Sequence, residues 1–212
     1  MAETSSGRFI TFEGGEGGGK SSQMRLLAER LQGNGREIVM TREPGGSPGA
    51  EAIRKLLVQG STERWEPTTE ALLHFAARRD HLVRVIWPAL ERGAVVLSDR
   101  FADSTTVYQG HAQGFDLEKI GALYRLVVGE FKPDLTLILD LPVEIGLARA
   151  AARRGNEARY ESFGNDFHQK VRSGFLAIAA AEPRRCAVID ASADIDTVAR
   201  QIAEMVKARV GV

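Results

Sequence analysis

The 212-residue chain has a single cysteine, Cys186. One thiol cannot close an internal disulfide or build a cysteine-based metal site. The four histidines (His74, His81, His111 and His168) show no zinc-motif spacing. Charge of either sign is not in excess: Lys and Arg total 28, and so do Asp and Glu. Proteins that hold nucleic acid over a broad face carry a basic surplus, so nucleic acid is not an expected partner. No run approaches the roughly 18 apolar residues that a membrane helix needs. Residues 1–7 are small and polar, without the apolar core of a signal peptide. No membrane association is expected, and a cytoplasmic protein is the default reading. No Pro-, Gly- or Ser-rich linker divides the chain, and no internal repeat is visible, so residues 1–212 are expected to form one domain.

A content of 43% hydrophobic and 26% charged residues is that of a globular protein. Five short apolar runs read as strands, at 8–12, 37–41, 94–98, 135–140 and 186–190. Several are almost continuously hydrophobic, the mark of strands buried on both faces. Helical periodicity fills the intervals at 20–32, 50–59, 70–91, 117–129, 143–154, 166–181 and 195–209. Ser47 is placed to cap the second of these helices, with Pro48 in its first turn. Pro88 is expected to kink or end the third. Strands alternating with helices predict an α/β fold with a parallel sheet and right-handed crossovers. Residues 153–165 break the pattern. They are polar, contain two glycines, and read as a mobile loop or lid.

Gly14 to Ser21 (GGEGGGKS) fits G-x-x-x-x-G-K-[ST], the P-loop. Glycines let the backbone wrap so that successive N–H groups face phosphate oxygens. A helix beginning near Lys20 adds its positive end. In such a loop Lys20 reaches the β- and γ-phosphates and Ser21 ligates Mg2+. The motif follows a strand and opens an amphipathic helix, which is the context it requires. ATP binding at Gly14, Gly15, Glu16, Gly17, Gly18, Gly19, Lys20, Ser21 and Ser22 is therefore expected. No N-K-x-D guanine reader accompanies it, and the chain is short for a motor. A small P-loop protein with an arginine-bearing lid suits phosphoryl transfer to a small acceptor, because a lid excludes competing water.

Four further segments could receive an anionic acceptor. Arg42–Glu43 and Asp99–Arg100 each follow a strand, at the carboxyl edge where open sheets bind ligands. His74 and Arg78, four apart, share a helix face. Ser104 to Gln109 is a polar run containing Tyr108. Taken singly, each has a plainer reading: a surface ion pair, a helix cap, core packing for His74 and Phe75, an ordinary loop. Trp65 and Trp87 read as packing. Their convergence on one edge favours a site.

In order and spacing, GGEGGGKS, TREPGG, FAARR, DRF and DSTTVYQG resemble bacterial thymidylate kinases over nearly the whole chain, from about Arg8 to the last helix. TREPGG and the DR(F/Y)…YQG block are more specific to that family than the P-loop. The resemblance implies a P-loop three-layer sandwich with a five-stranded parallel sheet and a lid near 149–165. It implies transfer of the γ-phosphoryl of ATP to dTMP with Mg2+, by an enzyme that commonly forms homodimers. It further implies that Glu16 receives the sugar 3′-hydroxyl, that Arg54 and Arg100 grip the dTMP phosphate, and that Asp99 and Glu43 organise Mg2+ and its water. Arg78 and Gln109 would read the thymine edge beside Thr105, and Tyr108 would crowd a 2′-hydroxyl. The family's base-stacking aromatic falls at His74, with Phe75 one place on, and either can serve. One branch of the family carries an arginine after the acidic P-loop residue, where this chain has Gly17. The other branch takes it from the lid, which here offers Arg149, Arg153, Arg154 and Arg159. Arg149 and Arg153 share a helical face, and Arg153 is the favoured one. Another nucleoside monophosphate kinase, or an ATP-binding switch without catalysis, remain the alternative classes.

Overall fold

The computed structural model describes residues 7–33, 35–152 and 159–212. The strands are β1 (Arg8–Glu13), β2 (Ile38–Arg42), β3 (Val95–Asp99), β4 (Leu135–Asp140) and β5 (Cys186–Asp190). They pair in parallel in the order β2-β3-β1-β4-β5. Side chains alternate between the two faces of each strand. Ile10, Phe12, Val95, Leu97 and Leu137 pack against α1 (Lys20–Gln32) and α9 (Ile195–Val210), through Met24, Leu27, Leu31, Ile202 and Val206. Phe9 and Val96 face the opposite layer, which includes α3 (Pro67–His81) and α6 (Leu117–Val127). There they meet Phe75, Leu82, Ile86 and Phe101. Each such side chain taken fully out of water contributes about 1.5–3 kcal/mol before the entropy cost of ordering the chain. Burial on both faces is why the strands read as continuous apolar runs, and the three layers follow the expected sandwich.

α2 (Pro48–Val58) begins as its sequence predicts: Ser47 accepts the Ala50 amide and Pro48 occupies the first turn. β2 and β3 each lie one residue later than the apolar runs suggest. Their ends are set by cross-strand partners, with Ile38 opposite Val95 and Arg42 opposite Asp99. The long helix neither ends nor breaks at Pro88. It begins at Pro67, where Glu66 accepts the amides of Thr68 and Thr69. It then widens into a π-turn at Leu82–Ile86 and continues as α4 (Trp87–Glu91). A wide turn absorbs the missing N–H and the bulk of the proline ring.

Residues 102–112, whose local pattern allows a plain loop, form α5 (Ala102–Thr105) continuing into a π-helical Thr106–Ala112. Their β-branched residues and Gly110 are weak helix formers, so tertiary packing decides the conformation. α7 (Val143–Ala151) and α8 (Asn165–Ala181) flank the expected lid. Arg153 and Arg154 lie outside the described residues. The described part of the lid is docked: Arg159 is buried and donates to the carbonyls of Ser61, Leu57 and Thr62. Among the described residues no helix is long and apolar enough to cross a membrane.

Candidate active site

The sheet register brings three chain segments to one edge. Phe12 is opposite Asp99, and Asp99 is opposite Arg42. The loops leaving β1, β2 and β3 therefore open side by side, and a cleft of about 240 Å³ lies between them. Its walls include Glu16 to Ser21, Glu43, Arg54, His74, Arg78, Asp99, Arg100, Thr105, Tyr108, Gln109 and Tyr160.

At one end the P-loop turns directly into α1. Lys20 donates from Nζ to the carbonyls of Gly15 (2.7 Å) and Gly14 (3.2 Å), so its ammonium lies over the loop. Burial, reinforced by the Arg100 charge, brings Lys20 down to about 8. Ser21 Oγ donates to Asp99 at 2.5 Å. Gly17 has φ of +69°, and a Cβ there would sit 2.0 Å from the Gly146 carbonyl oxygen of α7. The backbone of α7 thus occupies the space that a side chain at position 17 would need.

Beyond the P-loop, Arg100 adopts φ of +72°, the one positive value among the described non-glycine residues. Such a conformation costs about 1–3 kcal/mol and persists only when its surroundings enforce it. Here Arg100 donates to Glu16 (2.8 Å), Gly14 O (3.1 Å) and Ser104 Oγ (3.1 Å), and lies over the Tyr108 ring. Glu16 also accepts the Tyr108 hydroxyl at 2.8 Å. Burial works to raise Glu16, but Arg100, Lys20 and Tyr108 outweigh it and hold the carboxyl at about 2.

The far end of the cleft is nearly dry. Arg78 is 1% exposed; it donates to Glu43 (2.7 Å) and to Thr105 Oγ1 (3.1 Å), with its guanidinium over the Phe75 and Phe101 rings. Gln109 donates from Nε2 to Glu70 at 2.6 Å. Glu70 also accepts Gln113 (3.1 Å), Tyr160 (2.8 Å) and Arg159 (2.6 Å). Two buried atoms on this wall have no partner among the described residues: Arg78 Nη1, a donor, and Gln109 Oε1, an acceptor. His74 meets the Tyr160 hydroxyl at 3.0 Å. That hydroxyl donates to Glu70, so the imidazole is the donor and carries its proton on Nε2. Burial, with Arg78 and Arg159 next, lowers His74 to about 3 and keeps it neutral.

A family model described as thymidylate kinase matches residues 12–202. The chain belongs to the thymidylate kinase family. It is 58% identical to a thymidylate kinase of Caulobacter vibrioides, over 97% of this chain and 98% of that one. It is 55% identical to a thymidylate kinase of Nitrobacter winogradskyi, over 95% and 88% of the two chains. A crystal structure of thymidylate kinase from Ehrlichia chaffeensis superposes with a TM-score of 0.75 at 36% identity, covering 95% of this chain and 99% of that one.

Within this family fold, most residues singled out in the sequence come together around one cleft, with four qualifications. Phe75 turns into the core with Phe9, Leu82 and Ile86, while His74 faces the cleft, because adjacent helical residues point about 100° apart. The Phe75 ring therefore does not line the cleft. Ser22 lies in the first turn of α1, its amide bonded to Gly19 O. Glu43 has one carboxylate oxygen on Arg78 and the other on His81, so its contacts orient Arg78. Of the described lid arginines, Arg149 donates to Ala191 O, and Arg159 is spent on Glu70. Sequence reading missed Glu70, Tyr160 and Glu13. Glu70 lies four residues before His74 and eight before Arg78, so the stripe was visible. Glu13 is a buried carboxylate ending an otherwise apolar strand, and it accepts Phe101 N (2.8 Å) and Ser104 Oγ (2.6 Å).

Proposed function

We infer that the protein phosphorylates dTMP to dTDP at the expense of ATP. Thymine presents an N3–H donor beside a carbonyl acceptor. The unpartnered Gln109 Oε1 and Arg78 Nη1 offer the complementary pair, and this is the observation that carries the reading. Each buried orphan costs about 1–3 kcal/mol, which a bound thymine recovers. Cytosine, with an acceptor at N3 and an amino group beside it, mismatches both. Tyr108, which lines the cleft and donates to Glu16, is proposed to lie under the sugar and crowd a 2′-hydroxyl. Arg100 and Arg54 would hold the acceptor phosphate by the guanidinium fork.

The P-loop amides and Lys20 would hold the ATP phosphates in line with that acceptor. Phosphoryl transfer has a loose transition state, so positioning and charge neutralisation carry the rate. The acceptor is already a phosphate anion, so no strong general base is needed, and Asp99 serves as an organiser. Arg153 is proposed to bridge the phosphates. Ser21 and Asp99 place two hard oxygens together, and no cluster of three His, Cys, Asp or Glu accompanies them among the described residues. That set suits Mg2+, which keeps waters and shares phosphate oxygens. When bound it would neutralise charge on the transferring group.

One domain with a lid near 149–165, a cytoplasmic location and a homodimer complete the proposal. Exposed Leu72 and Val83, flanking Ala76 and Arg79 along one face of the long helix, support self-association. Coupled measurement of ADP release with ATP and dTMP, dUMP, dCMP, AMP or GMP tests the reading. Strong acceptor dependence on dTMP is expected. ADP release that ignores the acceptor would return the protein to the ATP-switch class.

A further inference from the structure

We propose that Glu70, which lines no part of the cleft, sets the choice between pyrimidines by locking the side-chain amide of Gln109 in one orientation. The proposal deepens the dTMP reading and rests on it. An amide can present either its oxygen or its NH2 to a base, and the two faces have nearly the same shape. Only the group behind it decides. Behind Gln109 stands a carboxylate that is fully buried and accepts at 2.6 Å. Glu70 Oε2 accepts the buried Arg159 guanidinium, an obligate donor, at 2.6 Å. Its Oε1 also accepts Gln113 and the Tyr160 hydroxyl, so it meets Gln109 as an acceptor. Gln109 must therefore spend its NH2 on Glu70, and Oε1 is left for the base.

The rest of the cluster repeats the constraint. The Glu70 oxygen that takes Gln109 also takes Gln113 and the Tyr160 hydroxyl. Three donors converge on it, from the π-helical Thr106–Ala112, from the residue after it and from the docked part of the lid. His74 donates in turn to Tyr160. Each of these hydrogen bonds runs toward Glu70, so one carboxylate polarises the Gln109 side of the wall.

Glu70→Gln reverses this logic. The new side chain has one acceptor and one NH2. Arg159 cannot give up its proton, so it claims the oxygen. The NH2 is turned toward Gln109, whose amide must rotate to accept it. The cleft then shows the base an NH2, which repels thymine N3–H and can serve cytosine N3.

The test measures kcat/KM for dTMP and for dCMP by coupled ADP release, with thermal melts alongside. The wild type is expected to favour dTMP strongly. In Glu70→Gln the dTMP-to-dCMP ratio is expected to shrink roughly ten- to hundredfold, the worth of one mispaired buried group. Glu70→Asp, still acceptor-only, is expected to keep the ratio even where it lowers the melting temperature. Should Glu70→Gln fail to fold, Glu70→Leu/Arg159→Met removes both buried charges together with the acceptor behind Gln109, leaves its amide free to present either face, and is expected to lower the ratio as well. A folded variant of either kind with an unchanged ratio, including one that loses both activities equally, overturns the proposal. A wild type without dTMP kinase activity overturns instead the reading on which it rests.

Discussion

Gly17→Ala tests how tightly the P-loop and α7 are joined. Two costs add at this position. With φ of +69°, an alanine occupies the left-handed region, at about 1–2 kcal/mol. Its Cβ would also lie 2.0 Å from the Gly146 carbonyl, where real contacts stay beyond about 3.0 Å. Backbone must then move by about 1 Å, and overpacking of that kind costs about 1–3 kcal/mol. The sum is about 2–5 kcal/mol, which for a domain of this size lowers Tm by roughly 4–20 °C. Gly146→Ala meets the same junction from the other side, 2.4 Å from the Glu16 carbonyl. It lies inside α7 without a positive φ, where alanine gains about 1 kcal/mol over glycine. Thermal melts should rank wild type above Gly146→Ala and both above Gly17→Ala. A Gly17→Ala protein melting within 2 °C of wild type would refute the reasoning. Equal losses in the two variants would remove the conformational part of it.

Four further outcomes follow from the charges and rings of the cleft. Lys20 stands near 8, chiefly through burial, so at pH 8 about half of the molecules carry it uncharged. Polyphosphate restores that charge, and ATP binding should take up as much as about half a proton at pH 8, read by calorimetry in buffers of different ionisation heat and absent in Lys20→Met. Burial, with Asp103 next, raises Glu13 from 4.5 to about 7. The folded state then binds the extra proton, so stability is present below pH 4.5 and falls as pH rises through about 7; Glu13→Gln should flatten that slope in melts taken across pH. Tyr108→Ala should erode the preference for dTMP over its ribo analogue, while Tyr108→Phe keeps the ring and most of the preference. Arg153→Ala should depress kcat more than it raises KM for dTMP, and an effect confined to KM would demote Arg153 to binding.

The parts of this fold that were legible in the sequence are those in which local pattern and tertiary environment agree. Continuous apolar runs read as strands because the sheet is buried on both sides, and Ser47–Pro48 announced its helix. The P-loop was legible because its glycines answer a backbone need that few residues meet. The helix through 102–112 was not, since Thr105, Thr106, Val107 and Gly110 are poor helix formers held by packing on α8. Continuation through Pro88 was hidden for a related reason, because a π-turn leaves no local signature. At the site, side-chain types pointed to the cleft, but facing did not follow from them. A stripe written as His74–Arg78 omitted Glu70, a charge that only a buried partner makes tolerable. Arg159 read as a lid cation free to reach phosphate, whereas three carbonyls and Glu70 hold it in the protein interior.

The two ends of the cleft solve different physical problems, and their carboxylates differ accordingly. At the phosphate end the ligand is a polyanion. Its attraction is strong, long-ranged and tolerant of small errors in position, so Lys20 and Arg100 need only be kept nearby and hydrogen-bonded. Glu16 and the Gly14 and Gly15 carbonyls do that. At the base end the ligand is neutral. Its hydrogen bonds are short-ranged, and a wrong orientation turns attraction into repulsion. Each proposed reader there is accordingly clamped from behind by a buried acid: Glu43 holds Arg78 and Glu70 holds Gln109. Buried ion pairs add little to stability, because desolvation offsets most of their attraction. The placement of the driest pairs behind the two proposed base readers follows from direction being the scarce quantity at that end.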